Sequence, residues 1–300
     1  MKPTSIIFLI VAAVLVITGF VTAGIAKQLA VSEGIELVAS VSDESENYIY
    51  TYQYDSDNIA KISVNVRNAN VNIIGGSTKP YIEIINFSEG LYEFSSSNRI
   101  LSINDSTDFT SLSGITSIAT NFKGLRSFVN YFKLSGLEKT VNIYLSPDYP
   151  VNVVDCSVGA GEVNIKESLT STDYNVDIAA GKLTVENITT TSALGITVDA
   201  GSVSIKDSTV SKMTATVSTG SMSIDATIDR IDANISTGDF VYSYRGSLDL
   251  TNLKLFTNVG KIVIDSEQFG GYRETNAAMT DNSIHVNIGV GDIEITSAAG

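Results

Sequence analysis

Seven stretches in the second half of the chain align on a glycine. They run CSVGAGEVNI, VDIAAGKLTV, ITVDAGSVSI, ATVSTGSMSI, ANISTGDFVY, LFTNVGKIVI and VNIGVGDIEI. Their anchors are Gly161, Gly181, Gly201, Gly220, Gly238, Gly260 and Gly291, spaced 20, 20, 19, 18, 22 and 31 residues apart. Around each glycine the apolar phase is fixed. Val163, Leu183, Val203, Met222, Phe240, Ile262 and Ile293 lie two residues after it, and an apolar residue (Tyr242 in the fifth copy) follows four after. Three before it come Val158, Ile178, Val198, Val217, Ile235, Thr257 and Ile288. Alternation on both arms of a corner is a strand signal. A period near 20 is too short for a βαβ unit. It fits one coil of a parallel β-solenoid, each coil stacking on the last and burying its inward residues against it. The glycine supplies the corner where a Cβ would clash or φ must be positive.

A degenerate copy, SVNVRNANVNI, occurs at 63–73 with Ala69 at the glycine position, so the solenoid is expected to begin near Ile59. YIEII, LYEF and ILSIN read as further strands. Tyr48, Tyr50, Tyr52 and Tyr54 alternate along one strand face. Such a row packs on cross-strand neighbours or stacks on sugar rings. The 31-residue interval before Gly291 is expected to hold a loop over 267–281.

Two segments break the β pattern. Ile6 to Ala26 is an uncharged apolar run of 21 residues, about 30 Å as a helix, the thickness of a bilayer's hydrocarbon core. Val21-Thr22-Ala23 and Gly24-Ile25-Ala26 resemble weak signal-peptide cleavage sites, but the run exceeds the usual signal-peptide length and reads better as an uncleaved anchor. Residues 1–5 then form a cytoplasmic tail, 6–26 a transmembrane helix, 27–47 a tether and 48–300 an exported solenoid. The second segment is 109–137. Its apolar residues Ile115, Ile118, Phe122, Leu125, Val129 and Phe132 recur at helical spacing, beside Lys123, Arg126 and Lys133. An amphipathic helical insert is expected, either capping the solenoid or lying on anionic lipid through these residues. The fold class is therefore all-β, a parallel β-solenoid with coils of about 18–22 residues, preceded by one transmembrane helix and interrupted by one helical insert.

The order of these pieces carries a resemblance. A membrane helix comes first, then the pair SVNVRNANVNII, then IYLSPDYP just ahead of the first glycine coil, then VSTGSMSI-type repeats. This set resembles the bacterial adhesin-like family of β-strand-repeat proteins, the domain of unknown function 4097 group, over roughly 48–300 without 105–137. The resemblance implies an envelope-facing, single-anchor β-solenoid at the bacterial cell membrane. It supplies no catalytic residues.

The net charge of −14 disfavours nucleic acid, whose phosphates need a basic face. Residues 151–300 hold 19 Asp and Glu against 9 Lys and Arg, a net −10. The lone cysteine, Cys156, falls in the apolar phase and reads as a small core residue. Asp155, Asp177 and Asp199 lie six, four and two residues before their glycines and do not share a register. His285 is the single histidine, in the polar phase, so a zinc site or a two-histidine relay is not expected. No phosphate loop or calcium repeat occurs. The chain is thus expected to be a non-catalytic, cofactor-free, membrane-anchored binding or adhesion protein, held in the membrane through residues 6–26 and directed at an unidentified protein or glycan. Its solenoid ends permit homo-oligomers. Two alternatives remain: an envelope structural or regulatory protein docking to a membrane partner, and a polysaccharide-processing enzyme, which needs carboxylates clustered on neighbouring coils.

Overall fold

The computed structural model describes residues 49–53, 59–78, 80–87, 92–97, 99–105, 137–166, 172–277 and 280–297. The proposed transmembrane helix, its tether, the helical insert with its Phe122–Lys133 candidates, and Tyr48 and Tyr54 all lie outside these residues. Among the described residues there is no α-helix, and no helix is long and apolar enough to cross a membrane.

The strands are β1 (Ile49–Gln53), β2 (Lys61–Asn68), β3 (Asn70–Ile74), β4 (Tyr81–Ile85), β5 (Tyr92–Ser97), β6 (Ile100–Asp105), β7 (Thr140–Tyr144), β8 (Val153–Lys166), β9 (Asp173–Glu186), β10 (Thr189–Thr237), β11 (Phe240–Tyr244), β12 (Asn252–Val259), β13 (Ile262–Ile264), β14 (Glu267–Phe269), β15 (Tyr272–Thr275), β16 (Ser283–Val290) and β17 (Ile293–Ser297). Each coil has a first arm, a glycine corner and a second arm. In the central coils a short third segment follows, burying Ile188 and Thr190, then Ser208 and Val210, then Ala226 and Ile228. Coils stack in parallel register, β8 on β9 and β9 on β10, with Gly161 opposite Gly181 and Gly181 opposite Gly201. Inward positions form continuous apolar columns. One runs Val64, Cys156, Val176, Ile196, Ala215, Ala233, Val286 and Leu255, all buried. Side chains of one column touch across rungs about 4.8 Å apart, so each coil buries its apolar face only when its neighbours are present.

The stacking order departs from the chain order at both ends. The coil β2–β3 does not end the stack. It lies between β8 on one side and β6 with β7 on the other. At the opposite end β16–β17, last in sequence, lies between β10–β11 and β12–β13. The expectation that every coil stacks on its predecessor is therefore corrected at the first and last coils. Repeat spacing encodes which residues face inward, not which rung each coil joins.

Antiparallel strands close both ends, so the sheet is not wholly parallel. β4 pairs with β7 and β5 with β6, and β1 pairs with β4, placing Tyr50 opposite Ile84 and Tyr52 opposite Ile82. At the other end β15 pairs with β12 and β14 with β13. The expected loop at 267–281 thus folds in part into the closing rung. There Arg273 takes the register of Leu255 and stacks its guanidinium 4.6 Å from the Phe269 ring centroid.

Candidate functional site

The seven glycines form one column at the corner. Each carries φ between +139° and +155°, and each packs its Cα on the backbone carbonyl of the glycine beneath. A Cβ on Gly220 would lie 1.6 Å from the Gly201 oxygen, and one on Gly238 equally close to that of Gly220. The column begins on Ala69, whose carbonyl oxygen underlies Gly161. It continues from Gly238 to Gly291 and then Gly260. These glycines build the scaffold and leave no room for a ligand.

Part of the second arm and of the corner satisfies its own polar groups, while Thr184, Ser204, Ser223 and Ser243 of that arm make no side-chain hydrogen bond or ion pair with other described residues. On the second arm a ladder of amides crosses three rungs. Asn164 donates to Asn72 at 3.0 Å, Asn72 donates to Asn142 at 2.8 Å, and Asn142 donates to Glu83 at 3.1 Å. Tyr144 donates to the same carboxylate at 3.3 Å and stacks on Tyr81 at 4.1 Å. Burial first, then the Glu83 charge, pushes the Tyr144 phenol up to about 12. Farther along, Arg245 bridges Asp207 at 2.7 Å and Asp225 at 2.9 Å. At the corner the Asp239 carboxylate accepts from the Asp292 N–H, and the Asp292 carboxylate from the Lys261 N–H.

The first arm adds a concavity. Its outer face is a trough of about 540 Å³ crossing five rungs, floored by Ser63 and Asn65, Asp155 and Ser157, Asn175 and Asp177, Gly195 and Thr197, and Thr214 and Thr216. Asp155 is engaged by Lys61 and by Asn175. Asn65, Ser157, Asp177, Thr197, Thr214 and Thr216 make no side-chain hydrogen bond or ion pair with other described residues. Their short side chains leave the trough open, and their donors and acceptors face solvent.

The face continues past the trough. Asp232 and Asn234 come next, then His285 and Asn287, then Lys254 and Phe256, then Glu274 and Tyr272. Phe256 is 42% exposed and Tyr272 54%, and they sit directly opposite each other. The Tyr272 hydroxyl donates to Glu274. Val259 and Val290, paired at the neighbouring corner, are 57% and 47% exposed.

Residues singled out from the sequence fall elsewhere. Cys156 is 2% exposed in the core column, and burial, followed by the Asp155 charge, pushes its thiol up to about 12. His285 is exposed between Asp232 and Lys254. Asp155 and Asp177 stand in different registers, opposite Asn175 and Ser157. Among the described residues no three His, Cys, Asp or Glu side chains are grouped to hold a metal ion. The Phe256–Tyr272 pair was not singled out. The sequence carries a signal for Phe256 alone: at four before the glycine the repeats read Ser157, Asp177, Thr197, Thr216, Asn234 and Asn287, and the remaining copy has Phe256.

A family profile described as Toastrack DUF4097 matches residues 59–298. The chain belongs to the Toastrack family. Among solved structures the Toastrack chain is similar to a proposed cell adhesion protein from Clostridium sporogenes, at 14% identity over 84% of this chain and 100% of that one, with a TM-score of 0.39. It is similar to a proposed adhesin from Bacteroides fragilis at 14% identity, over 86% and 100% of the two chains, with a TM-score of 0.35. A proposed lipid-binding protein from Parabacteroides distasonis aligns at 9% identity over 85% and 98%, with a TM-score of 0.39. Among curated proteins none matches the sequence.

Proposed function

We propose that this Toastrack protein is a non-catalytic binding module, anchored in a bacterial cell membrane by residues 6–26, whose exported solenoid presents the first-arm face to an extended partner. One observation carries the reading. On the first-arm face Asn65, Ser157, Asp177, Thr197 and Thr216 stand on consecutive rungs without side-chain partners among the described residues, and the same face ends on the half-exposed rings of Phe256 and Tyr272. Open polar groups repeated on a rigid ladder suit a partner that itself repeats. The anchor rests on the 21-residue apolar run from Ile6 to Ala26.

The test uses the full chain in detergent micelles on arrays of immobilised glycans and surface proteins, beside a Thr197→Arg, Thr216→Arg variant. These positions are exposed, so the variant is expected to keep the wild-type melting midpoint and lose array binding. Equal binding by both proteins overturns the assignment of the face. Location is tested separately by protease treatment of intact cells carrying a C-terminal tag. Loss of the tag is expected, and protection until lysis refutes export.

A further inference from the structure

We infer that the first-arm face takes an uncharged polysaccharide, with one pyranose ring stacked on the exposed pair Phe256 and Tyr272 and the following sugars laid across the rungs toward the trough. This rests on the reading of that face as a binding surface. Exposed aromatic rings grouped on one face of a sheet mark a surface that a partner covers. Phe256 stands where the other glycine coils carry short polar residues, Tyr272 lies opposite it on the closing strand, and both are about half exposed. A ring face flanked by amide and carboxylate groups is the chemistry that recognises a sugar, which is apolar on its C–H face and hydroxylated at its edge. Asn287 supplies the amide on the next rung and bonds Asn234 beyond it at 3.4 Å. Glu274 lies beside Tyr272 and accepts from its hydroxyl.

Spacing and charge narrow the class further. Rungs about 4.8 Å apart repeat at close to the length of one pyranose unit in an extended chain, so successive sugars meet successive rungs. Asp155, Asp177, Asp232 and Glu274 outnumber Lys61 and Lys254 on the strip, which is therefore net acidic within a chain of net charge −14. Acidic polysaccharides are therefore repelled and neutral ones are not. The Thr197, Thr214 and Thr216 hydroxyls and the Asn65 amide in the trough offer both donors and acceptors to sugar hydroxyls.

The experiment is calorimetric titration of the full chain in detergent with hexaoses of β-1,4-linked glucose and of β-1,4-linked N-acetylglucosamine, the matching disaccharides, and hyaluronan. At least one neutral hexaose is expected to bind at least tenfold more tightly than its disaccharide, and hyaluronan to give no heat. Phe256→Thr and Tyr272→Thr keep strand propensity and are each expected to weaken the hexaose at least tenfold, with the melting midpoint unchanged. Should either variant fold poorly, Phe256→Tyr is expected to retain binding by restoring the ring. Hexaose binding that ignores both aromatic variants but is lost in Thr197→Arg, Thr216→Arg overturns the aromatic platform and leaves the face standing. Absence of any heat with both neutral hexaoses, alongside trough-dependent binding to a protein on the arrays, overturns the polysaccharide and again leaves the face. Equal or tighter binding of hyaluronan overturns the charge argument.

Discussion

Replacing Gly220 by alanine puts the stacking argument to its hardest test. The new Cβ would stand 1.6 Å from the Gly201 carbonyl oxygen and 2.7 Å from its carbon. Both obstacles are backbone, so no rotamer change relieves them. The residue also sits at φ +146°, a region in which a non-glycine residue costs on the order of 1–3 kcal/mol. Parting the two rungs enough to admit a methyl group weakens two or three neighbouring ladder hydrogen bonds, at about 1 kcal/mol each. The sum is about 3–6 kcal/mol, a large share of the roughly 5–15 kcal/mol that holds an ordinary domain together. Gly270 is the control. Its added Cβ meets nothing within 4 Å and its φ is not in the positive region, so Gly270→Ala is expected to stay within about 0.5 kcal/mol of wild type. Urea unfolding of the full chain in detergent, followed by far-ultraviolet circular dichroism, reads both variants on one scale. A Gly220→Ala protein within about 1 kcal/mol of the Gly270→Ala protein, with the same urea dependence, would refute the claim that the column is closed to side chains.

Two further perturbations address the core and the second arm. Asn72→Ala removes the middle of the amide ladder, leaving the Asn164 donor and the Asn142 acceptor without their mutual partner; a loss of about 1–2 kcal/mol is expected in the same urea assay, and no loss means the ladder is ornamental. Cys156 should resist alkylation by iodoacetamide in the native protein and react in urea. Because burial raises its thiol from 9.0 to about 12, the unfolded chain gives up this proton first. The stability it contributes is intact below about pH 9 and falls as pH rises from there toward 12, by up to about 1.4 kcal/mol per pH unit. Cys156→Ala should lack this component of the alkaline slope, and identical slopes in the two proteins would remove the thiol from the account.

Much of the coil was legible because a two-residue period and a fixed glycine leave few alternatives. Val163, Val158 and Ile165 are buried as their phase requires, and Ala69 stands at the foot of the glycine column, the position its alignment assigned. Ala69 shows why the match is degenerate. It is not among the residues with positive φ, so the first coil turns its corner without the glycine conformation and tolerates a Cβ. The closing strand β15 was not legible, because Arg273 and Thr275 break the apolar phase where the stack ends. At a terminal rung the inward side has no further coil to bury it, and polar residues there cover the core. The proposed binding face was half legible. The polar phase of Thr197 and Thr216 is plain in the sequence, but that phase also describes any solvated strand, and only the half-exposed rings of Phe256 and Tyr272 at the end of the same face separate the two.

The insertion of the last coil joins fold to site. Had β16 followed β12 in the stack as it does in the sequence, Phe256 would adjoin Asn234, and Asn287 would lie between Phe256 and the end of the stack. In the observed order Asn287 stands between Asn234 and Phe256, and β12 pairs instead with β15, which brings Tyr272 opposite Phe256. The two rings become neighbours only because the last coil vacates the edge of β12. The same insertion gives β16 a partner strand on each side, so the C-terminal coil cannot fray without breaking two ladders at once. A platform for a ligand that spans several rungs needs that rigidity, since each ordered contact is lost if the rungs move independently. The chain order that defeats a simple reading of the repeat is therefore the feature that assembles the aromatic pair and fixes it at the end of the polar strip.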